Sequence, residues 1–249
     1  MKILSIDTSS NICGVSILEN KNIIYNSDKN TDRTHSENLM PMIEEAFNLS
    51  NLTLSDIGLL VADIGPGSFT GLRIGIATIK AFRDSLNIPV VGISSLEVLA
   101  YNIKNLINDA EFIASIIDCK NNNCYFALYK KVNNSIEKII LPKASSVSDA
   151  LKEINSVFSS KNNASKITFV GDASTIYKND IISSLPFASF SDEKNNSVSS
   201  FSLGIAGLDL FNSSSKDSLT DILPLYLKKP QAQRLLEEKE KNLNQVSKN

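Results

Sequence analysis

An acidic residue followed by two hydroxyl residues is the first stretch of the chain that could do chemistry. Asp7, Thr8 and Ser9 directly follow a short apolar run that begins after Lys2. A carboxylate beside hydroxyl groups at a strand end can hold a phosphate or a metal-bound water. A turn that is merely rich in hydroxyl groups has the same composition, so both interpretations stay open. If the stretch binds a cofactor, these three residues are the candidates.

A glycine-rich turn is the second such stretch, because residues 65–75 hold four of the ten glycines. The apolar run 59–64 predicts a buried strand, Gly65-Pro66-Gly67 breaks it, and Ser68 or Thr70 can cap a following helix. Backbone N–H groups in such a turn could bind an anion, or the glycines could simply let the helix lie close to its strand. Neither the dinucleotide-binding pattern nor the P-loop pattern is matched, so the turn names no ligand.

Histidine and cysteine chemistry is restricted by number. His35 is the one histidine of the chain, so a two-histidine metal site cannot form within one subunit, and a Ser–His or Cys–His pair would need His35. The three cysteines lack zinc-type spacing and are expected to be buried thiols in a reducing compartment. These counts disfavour a histidine-based metal site and leave His35 as the one imidazole for a catalytic pair.

Charge and hydropathy limit the partners. Twenty-five basic and 27 acidic residues give a formal charge of −2, unlike a domain that grips nucleic acid by itself. Any RNA contact is expected to come through a partner. No apolar run reaches the length of a membrane span or a signal peptide, so we expect a cytoplasmic protein without membrane contact.

Two halves of similar pattern must position these residues. The first reads β-β-β-α-β-α-β-α, with strands at 2–7, 13–19, 22–27, 59–64 and 88–93. The second has strands at 112–118, 125–131, 136–141 and 167–170, and helices at 148–158, 174–185 and 197–211. Both halves open with a meander and continue into βα units, which indicates a weak internal duplication.

Two helices of the first half carry more apolar surface than one sheet requires. Thr34 and Glu37 form a capping box, and apolar residues follow at helical spacing from Leu39. The helix at 70–86 is apolar on most sides, and Gly71 and Gly75 leave a flat strip on it. Burial under the chain's own second half and a protein interface explain this equally well.

Four motifs together resemble the bacterial TsaB family of tRNA threonylcarbamoyladenosine biosynthesis proteins. They are residues 1–9, the His-Ser-Glu-Asn-Leu start of a helix at 35–39, the Gly-Pro-Gly-Ser-Phe-Thr-Gly-Leu-Arg block at 65–73, and residues 224–230. The resemblance implies an α/β fold of the actin-like ATPase, sugar kinase and heat-shock chaperone type, with two related lobes of mixed sheets flanked by helices. We expect an N-terminal lobe at 1–107, a C-terminal lobe at 108–229 and a polar tail at 230–249.

The same resemblance implies that catalysis has been lost. The sister family TsaD carries a metal-binding His-x-x-x-His pair, and the matching positions here are Ser95 and Leu99. The second phosphate hairpin, residues 118–123, has no glycine, which restricts the approach of N–H groups to a phosphate. Asp7, Thr8 and Ser9 would then be a vestigial cofactor site. The chain would bind no cofactor by itself, and a nucleotide could bind only at the interface with a partner.

The resemblance further implies a non-catalytic scaffold that docks onto the catalytic subunit TsaD. It would support threonylcarbamoyl transfer to N6 of the adenosine beside the anticodon, work with the ATPase TsaE, form a homodimer when alone, and meet tRNA only through the complex. Gly75→Glu would then abolish TsaD binding and leave the monomer folded. The candidate interface residues are Leu39, Met42, Ile43, Gly71, Leu72, Arg73, Gly75, Ile76, Ile79 and Lys80.

Two other classes stay open. An actin-fold ATPase or small-molecule kinase would use the retained Asp7, Thr8 and Ser9, and binding of magnesium–ATP by the isolated chain would reveal it. A metalloprotease is disfavoured, because one histidine and no His-Glu-x-x-His motif leave no zinc site.

Overall fold

Two five-stranded mixed sheets organise the molecule. The computed structural model describes residues 1–30, 34–161, 166–213 and 222–228. The first sheet has the order β3-β2-β1-β4-β5, and the second has the order β8-β7-β6-β9-β10. Their strands are β1 (Lys2–Asp7), β2 (Ile12–Glu19), β3 (Asn22–Asn30), β4 (Leu59–Gly65), β5 (Val90–Ser94), β6 (Phe112–Asp118), β7 (Asn123–Val132), β8 (Ser135–Ser146), β9 (Ile167–Val170) and β10 (Ser189–Phe190).

The internal duplication is confirmed at the level of topology. In each sheet the first three strands form an antiparallel meander, and the fourth strand pairs in parallel with the first. The fifth strand then pairs in parallel with the fourth. Two related lobes of mixed sheets are therefore present, as the resemblance implied.

Seven helices cover the sheets in the described part of the chain. They are α1 (His35–Ser50), α2 (Phe69–Leu86), α3 (Ser95–Ile103), α4 (Val147–Lys161), α5 (Asp172–Ile176), α6 (Lys178–Ser184) and α7 (Ser200–Ser213). The capping box of Thr34 and Glu37 starts α1, and the Ser68 hydroxyl accepts from the Gly71 N–H at the start of α2. Both caps were expected from the sequence. None of the described helices is long and apolar enough to cross a membrane.

Some boundaries differ from the prediction. The helix expected at 174–185 is split at Tyr177 into α5 and α6, because Tyr177 leaves helical geometry. Strand β8 runs on to Ser146, and β10 was not predicted because two residues are too few for a pattern. Helix α1 begins at His35, so Pro41 lies inside it.

The layers explain where the cores lie. Helices α1 and α2 cover one face of the first sheet, and α3 and α7 cover its other face, between the two lobes. Helix α7 packs against all five strands of the first sheet. The expected tail at 230–249 lies outside the described residues.

Candidate functional site

Two carboxylates meet at the carboxyl edge of the first sheet. Because β1 and β4 are adjacent parallel strands, Asp7 at the end of β1 lies beside Asp63 near the end of β4. Both are buried, at 0% and 2% exposure. Asp7 Oδ1 accepts from the Ser9 N–H at 2.8 Å, and Asp63 Oδ1 accepts from the Gly65 N–H and the Ser95 hydroxyl at 2.6 and 2.7 Å. Sequence reasoning missed Asp63, although an acid at the end of a parallel strand is a signal for the cleft edge.

Protonation of this pair follows from its burial. Desolvation, and then repulsion from Asp63, raise the pKa of Asp7 well above its usual range. Desolvation also raises the pKa of Asp63 to about 6. Each carboxylate keeps one buried oxygen, Oδ2, without a hydrogen-bond partner in the structure. Since two buried carboxylates side by side cannot both ionise without a large cost, the pair holds a shared proton near neutral pH.

The loop of Thr8 and Ser9 is closed by α2. The Thr8 hydroxyl donates to the Gly71 carbonyl at 2.8 Å, and the Ser68 N–H donates to the Ser9 carbonyl at 2.7 Å. Thr8 and Ser9 are only 1% and 4% exposed. The cofactor candidates Asp7, Thr8 and Ser9 are thus brought together as expected, but α2 lies where a ligand would approach the hydroxyl groups.

Gly71 and Gly75 permit this close approach. A Cβ atom at Gly71 would lie 2.1 Å from the Thr8 carbonyl oxygen, and one at Gly75 would lie 2.4 Å from the Thr8 hydroxyl oxygen. Neither distance is sterically allowed without movement of the loop. The strip that we expected to receive a partner helix therefore lies against the chain's own β1–β2 loop.

The cleft between the lobes is narrow. Its cavity has a volume of about 90 Å³ and is lined by residues of both lobes, among them Ser9, Gly67, Asp172 and Asn196. Small-molecule sites usually have about 300–1,000 Å³. As folded, this cleft is too small for a nucleotide.

The hairpin at residues 118–123, which the resemblance matches to a second phosphate-binding hairpin, makes hydrogen bonds within its own lobe. Lys120, Asn121 and Asn122 all have left-handed φ angles of 67°, 56° and 55°. Asp118 Oδ1 accepts from the Lys120 N–H at 3.0 Å and from the Tyr177 hydroxyl at 2.9 Å. Although partial burial opposes it, the Lys120 ammonium, 3.1 Å from Oδ2, and then these two hydrogen bonds hold the pKa of Asp118 below its usual value. The carboxylate is thereby satisfied within its own lobe.

The two positions that match the metal-binding histidines of TsaD, by the resemblance described above, are buried. Ser95 and Leu99 lie on α3 at 0% and 1% exposure, and the Ser95 hydroxyl is used by Asp63. Within the described residues no group of three or more His, Cys, Asp or Glu side chains is arranged to hold a metal ion. Cys13, Cys119 and Cys124 form no disulfide; Cys13 and Cys124 are buried as expected, whereas Cys119 is partly exposed.

Most of the predicted interface residues are buried within the monomer. Six of them have 0–5% exposure and pack against the first sheet: Leu39, Met42, Ile43, Leu72, Ile76 and Ile79. The reason is that a 3.6-residue apolar pattern marks the face that a helix turns toward its sheet. Arg73 is exposed and Lys80 is partly exposed.

On the outward face of α2, sequence reasoning named Arg73 but missed Phe69 and Ala77. Phe69, Arg73 and Ala77 are all exposed at four-residue spacing, with Phe69 at 40%. An open groove is lined by these three residues together with Thr70 and Ile74. The signal was available, because i, i+4, i+8 spacing places these residues on one side of a helix whose other side carries the core stripe.

The last described segment, residues 222–228, lies against α2 and β4, and we call it the C-terminal strap. Ile222 is buried in the core beneath α1 and α2, and the Leu225 N–H donates to the Ile64 carbonyl at 2.7 Å. The Tyr226 ring stacks on Phe69 with centroids 4.9 Å apart. The strap thereby brings a residue more than 150 positions away onto the outward face of α2.

Comparison with known proteins gives the same picture. A family model described as "TsaD: tRNA N6-adenosine threonylcarbamoyltransferase" matches residues 21–248. TsaB of Bacillus subtilis is 29% identical over 72% of this chain and 74% of its own length. TsaB of Buchnera aphidicola subsp. Schizaphis graminum is 31% identical over 61% of this chain and 73% of its own length. Both relatives are named tRNA threonylcarbamoyladenosine biosynthesis proteins.

A solved structure supports the fold. YeaZ from Pseudomonas aeruginosa superimposes with a TM-score of 0.70 at 22% identity, covering 91% of this chain and 99% of that chain. Two lobes of one topology, each a mixed five-stranded sheet flanked by helices, define a protein of the actin-like ATPase fold. Within that class, the chain belongs to the threonylcarbamoyltransferase family and, inside it, to the TsaB or YeaZ type.

Proposed function

We propose that this chain is a non-catalytic subunit that binds and activates a TsaD-type transferase. In that role it supports threonylcarbamoyl transfer to N6 of the adenosine beside the anticodon. The observation that carries the proposal is the fate of Ser95 and Leu99, the positions that resemble the metal-binding histidines of the transferase. Both are buried, and Ser95 is bonded to Asp63. A leucine and a serine whose hydroxyl is bonded to a carboxylate supply no imidazole ligand for a metal.

The closed nucleotide loop supports the same proposal against an ATPase or kinase. The Thr8 hydroxyl donates to Gly71 of α2, the Ser9 N–H donates to Asp7, and the cleft cavity has only about 90 Å³. A working nucleotide site needs those backbone and hydroxyl groups free. Tight binding of magnesium–ATP by the isolated chain, lost in Asp7→Ala, would contradict the proposal and favour the rival.

The docking surface that we propose is the outward face of α2 rather than the buried stripe. Phe69, Arg73 and Ala77 are exposed there, and small Ala77 allows a partner backbone to come close. The other expected partners, TsaE, a second copy of this chain and tRNA within the complex, remain proposals with no surface assigned to them.

Size-exclusion chromatography with the TsaD of the same organism tests this surface. We expect Ala77→Glu to abolish co-elution, because it places a charge in the middle of an apolar contact. Ser183→Glu, on the exposed side of α6 in the other lobe, is the matched control and should co-elute normally. Gly75→Glu is unsuitable as a test, since its side chain would strike Thr8 within the monomer.

A transfer assay links binding to activity. Formation of threonylcarbamoyladenosine on tRNA by TsaD, supplied with its donor and TsaE, should need this chain and should fall with Ala77→Glu in step with co-elution. Full transfer without the chain, or co-elution of Ala77→Glu at the wild-type level, would contradict the proposed function or its surface, respectively.

A further inference from the structure

An aromatic and arginine cluster stands on the proposed docking surface. The Arg73 guanidinium lies over the Phe69 ring, 3.9 Å from its centroid, and Arg73 Nε donates to the Tyr226 hydroxyl at 2.9 Å. Tyr226 in turn stacks on Phe69, and its own ring centroid is 5.9 Å from the guanidinium carbon. Each of the three side chains therefore contacts the other two.

The three side chains of the cluster are exposed to solvent although they contact one another. Phe69 and Tyr226 have 40% and 43% of their surface exposed, and Arg73 is exposed as well. Long flexible side chains normally lose rotamer freedom when they bind. Here the two rings and the strap already fix the guanidinium, so much of that entropy cost is met within the monomer.

The chemistry of the cluster selects an anionic partner group. Among the described residues, Arg73 forms no ion pair with a carboxylate, and its one hydrogen bond uses Nε alone. Its terminal N–H groups and the Tyr226 O–H are donors, and an arginine fork matches a carboxylate in two-point geometry. The adjoining groove, lined by Ile74 and Ala77, is apolar. The complementary surface therefore carries an acidic side chain beside apolar residues.

We propose that Phe69, Arg73 and Tyr226 form a preorganised platform that receives a carboxylate from the docking segment of the TsaD-type transferase. The inference rests on the proposed function and names the chemistry of its contact. It also gives the C-terminal strap a role, because Tyr226 holds the guanidinium in place. Arginine and tyrosine are residue types that often dominate the free energy of association at interfaces.

Titration calorimetry with TsaD tests the platform. We expect Arg73→Gln to raise the dissociation constant about tenfold or more. The variant's dissociation constant should also depend less on salt concentration. Arg73→Lys should recover part of the affinity, because the charge remains while the planar fork is lost. Tyr226→Phe keeps the ring stack and removes only the hydroxyl, so it should weaken binding by a few-fold, on the order of a single hydrogen bond.

Lys178→Gln is the matched control, since Lys178 is an exposed cation over the Phe190 ring in the other lobe. It should leave affinity and salt dependence unchanged. Urea unfolding of each variant checks that the monomer stays folded, as expected for exposed positions.

The outcomes separate the two proposals. Absence of binding by the wild-type chain would overturn the proposed function itself. Wild-type binding with an unchanged dissociation constant and salt dependence in Arg73→Gln would overturn the platform and leave the function standing. The platform proposal would also be overturned if Arg73→Gln weakened self-association of this chain and left TsaD binding unchanged. The partner on this surface would then be a second copy of the chain.

Discussion

At the scale of residues, the buried pair of Asp7 and Asp63 has the clearest physical consequence. Ser9, Gly65 and Ser95 are the hydrogen-bond donors to the pair. Each carboxylate uses only Oδ1 in these bonds, and burial leaves Oδ2 without a partner. A shared proton is the remaining way to satisfy both oxygens at low cost.

This pair predicts a pH-dependent difference between wild type and Asp7→Asn. The pKa of Asp7 is raised in the folded state, so folding takes up a proton that the unfolded chain releases above about pH 4. Stability from this group is thus present at low pH and is lost as the pH rises through the raised folded pKa. Asparagine mimics the protonated acid, so the stability of the variant relative to wild type should increase by about 1–3 kcal/mol between pH 4.5 and 7.5.

Urea unfolding across that pH range measures the effect. Asp180→Asn, at an exposed position of α6, is the control and should show no such trend. A constant difference between Asp7→Asn and wild type over the range would show that the pair does not hold a proton.

At the scale of elements, α2 is defined by what lies on each of its sides. Its core stripe meets the first sheet, its glycine side meets the β1–β2 loop, and its outward side carries Phe69, Arg73 and Ala77. The glycine side fixes the position of the helix, because backbone and hydroxyl groups of Thr8 approach it directly. The orientation of the proposed docking face therefore depends on this contact.

Gly75→Ala tests the contact between α2 and the loop. In an exposed helix this substitution would stabilise by about 1 kcal/mol. Here the new Cβ would meet the Thr8 hydroxyl at 2.4 Å, so we expect a loss of about 1–3 kcal/mol in the free energy of unfolding. Thr8→Ala removes the obstructing oxygen, so the double variant should lose less than the sum of the two single variants. Additive losses in a double-mutant cycle would contradict this account.

At the scale of the whole molecule, α7 joins the second half of the chain to the first lobe. Asp209 on α7 bonds to Lys21 at 2.9 Å and to Lys104 at 3.2 Å, and it accepts from the Tyr101 hydroxyl at 3.3 Å. The Lys104 side chain is only 3% exposed, and desolvation lowers its pKa despite the nearby carboxylate. Asp209 is therefore the group that compensates a buried cation.

Asp209→Asn should destabilise the molecule by about 3 kcal/mol, because it leaves the Lys104 charge buried and unpaired. Adding Lys104→Met to that variant should recover much of the loss, since the unpaired charge is then gone. Chemical denaturation of the single and double variants measures both effects. A double variant that is less stable than Asp209→Asn alone would indicate that Lys104 contributes mainly through its packing.

The sequence by itself determined the elements, the duplicated lobes and the type of protein. The capping residues Thr34 and Ser68, the alternation of apolar residues and the breaks at glycine all act over a few positions, so they can be seen without the fold. The same holds for the lack of histidine at positions 95 and 99, because Ser95 and Leu99 offer no imidazole wherever they lie. The likeness to TsaB proteins rests on such local blocks.

Only the tertiary structure decided which side of α2 is free and what its glycines contact. An apolar stripe looks the same whether it covers a sheet or a partner, and the choice depends on the packing of β1, β4 and the Thr8 loop. Asp63 joined Asp7, and Tyr226 joined Phe69 and Arg73, through contacts between residues far apart in the chain. Local patterns carry no information about such distant pairs, so the face of α2 that we propose for docking emerged only when the chain was folded.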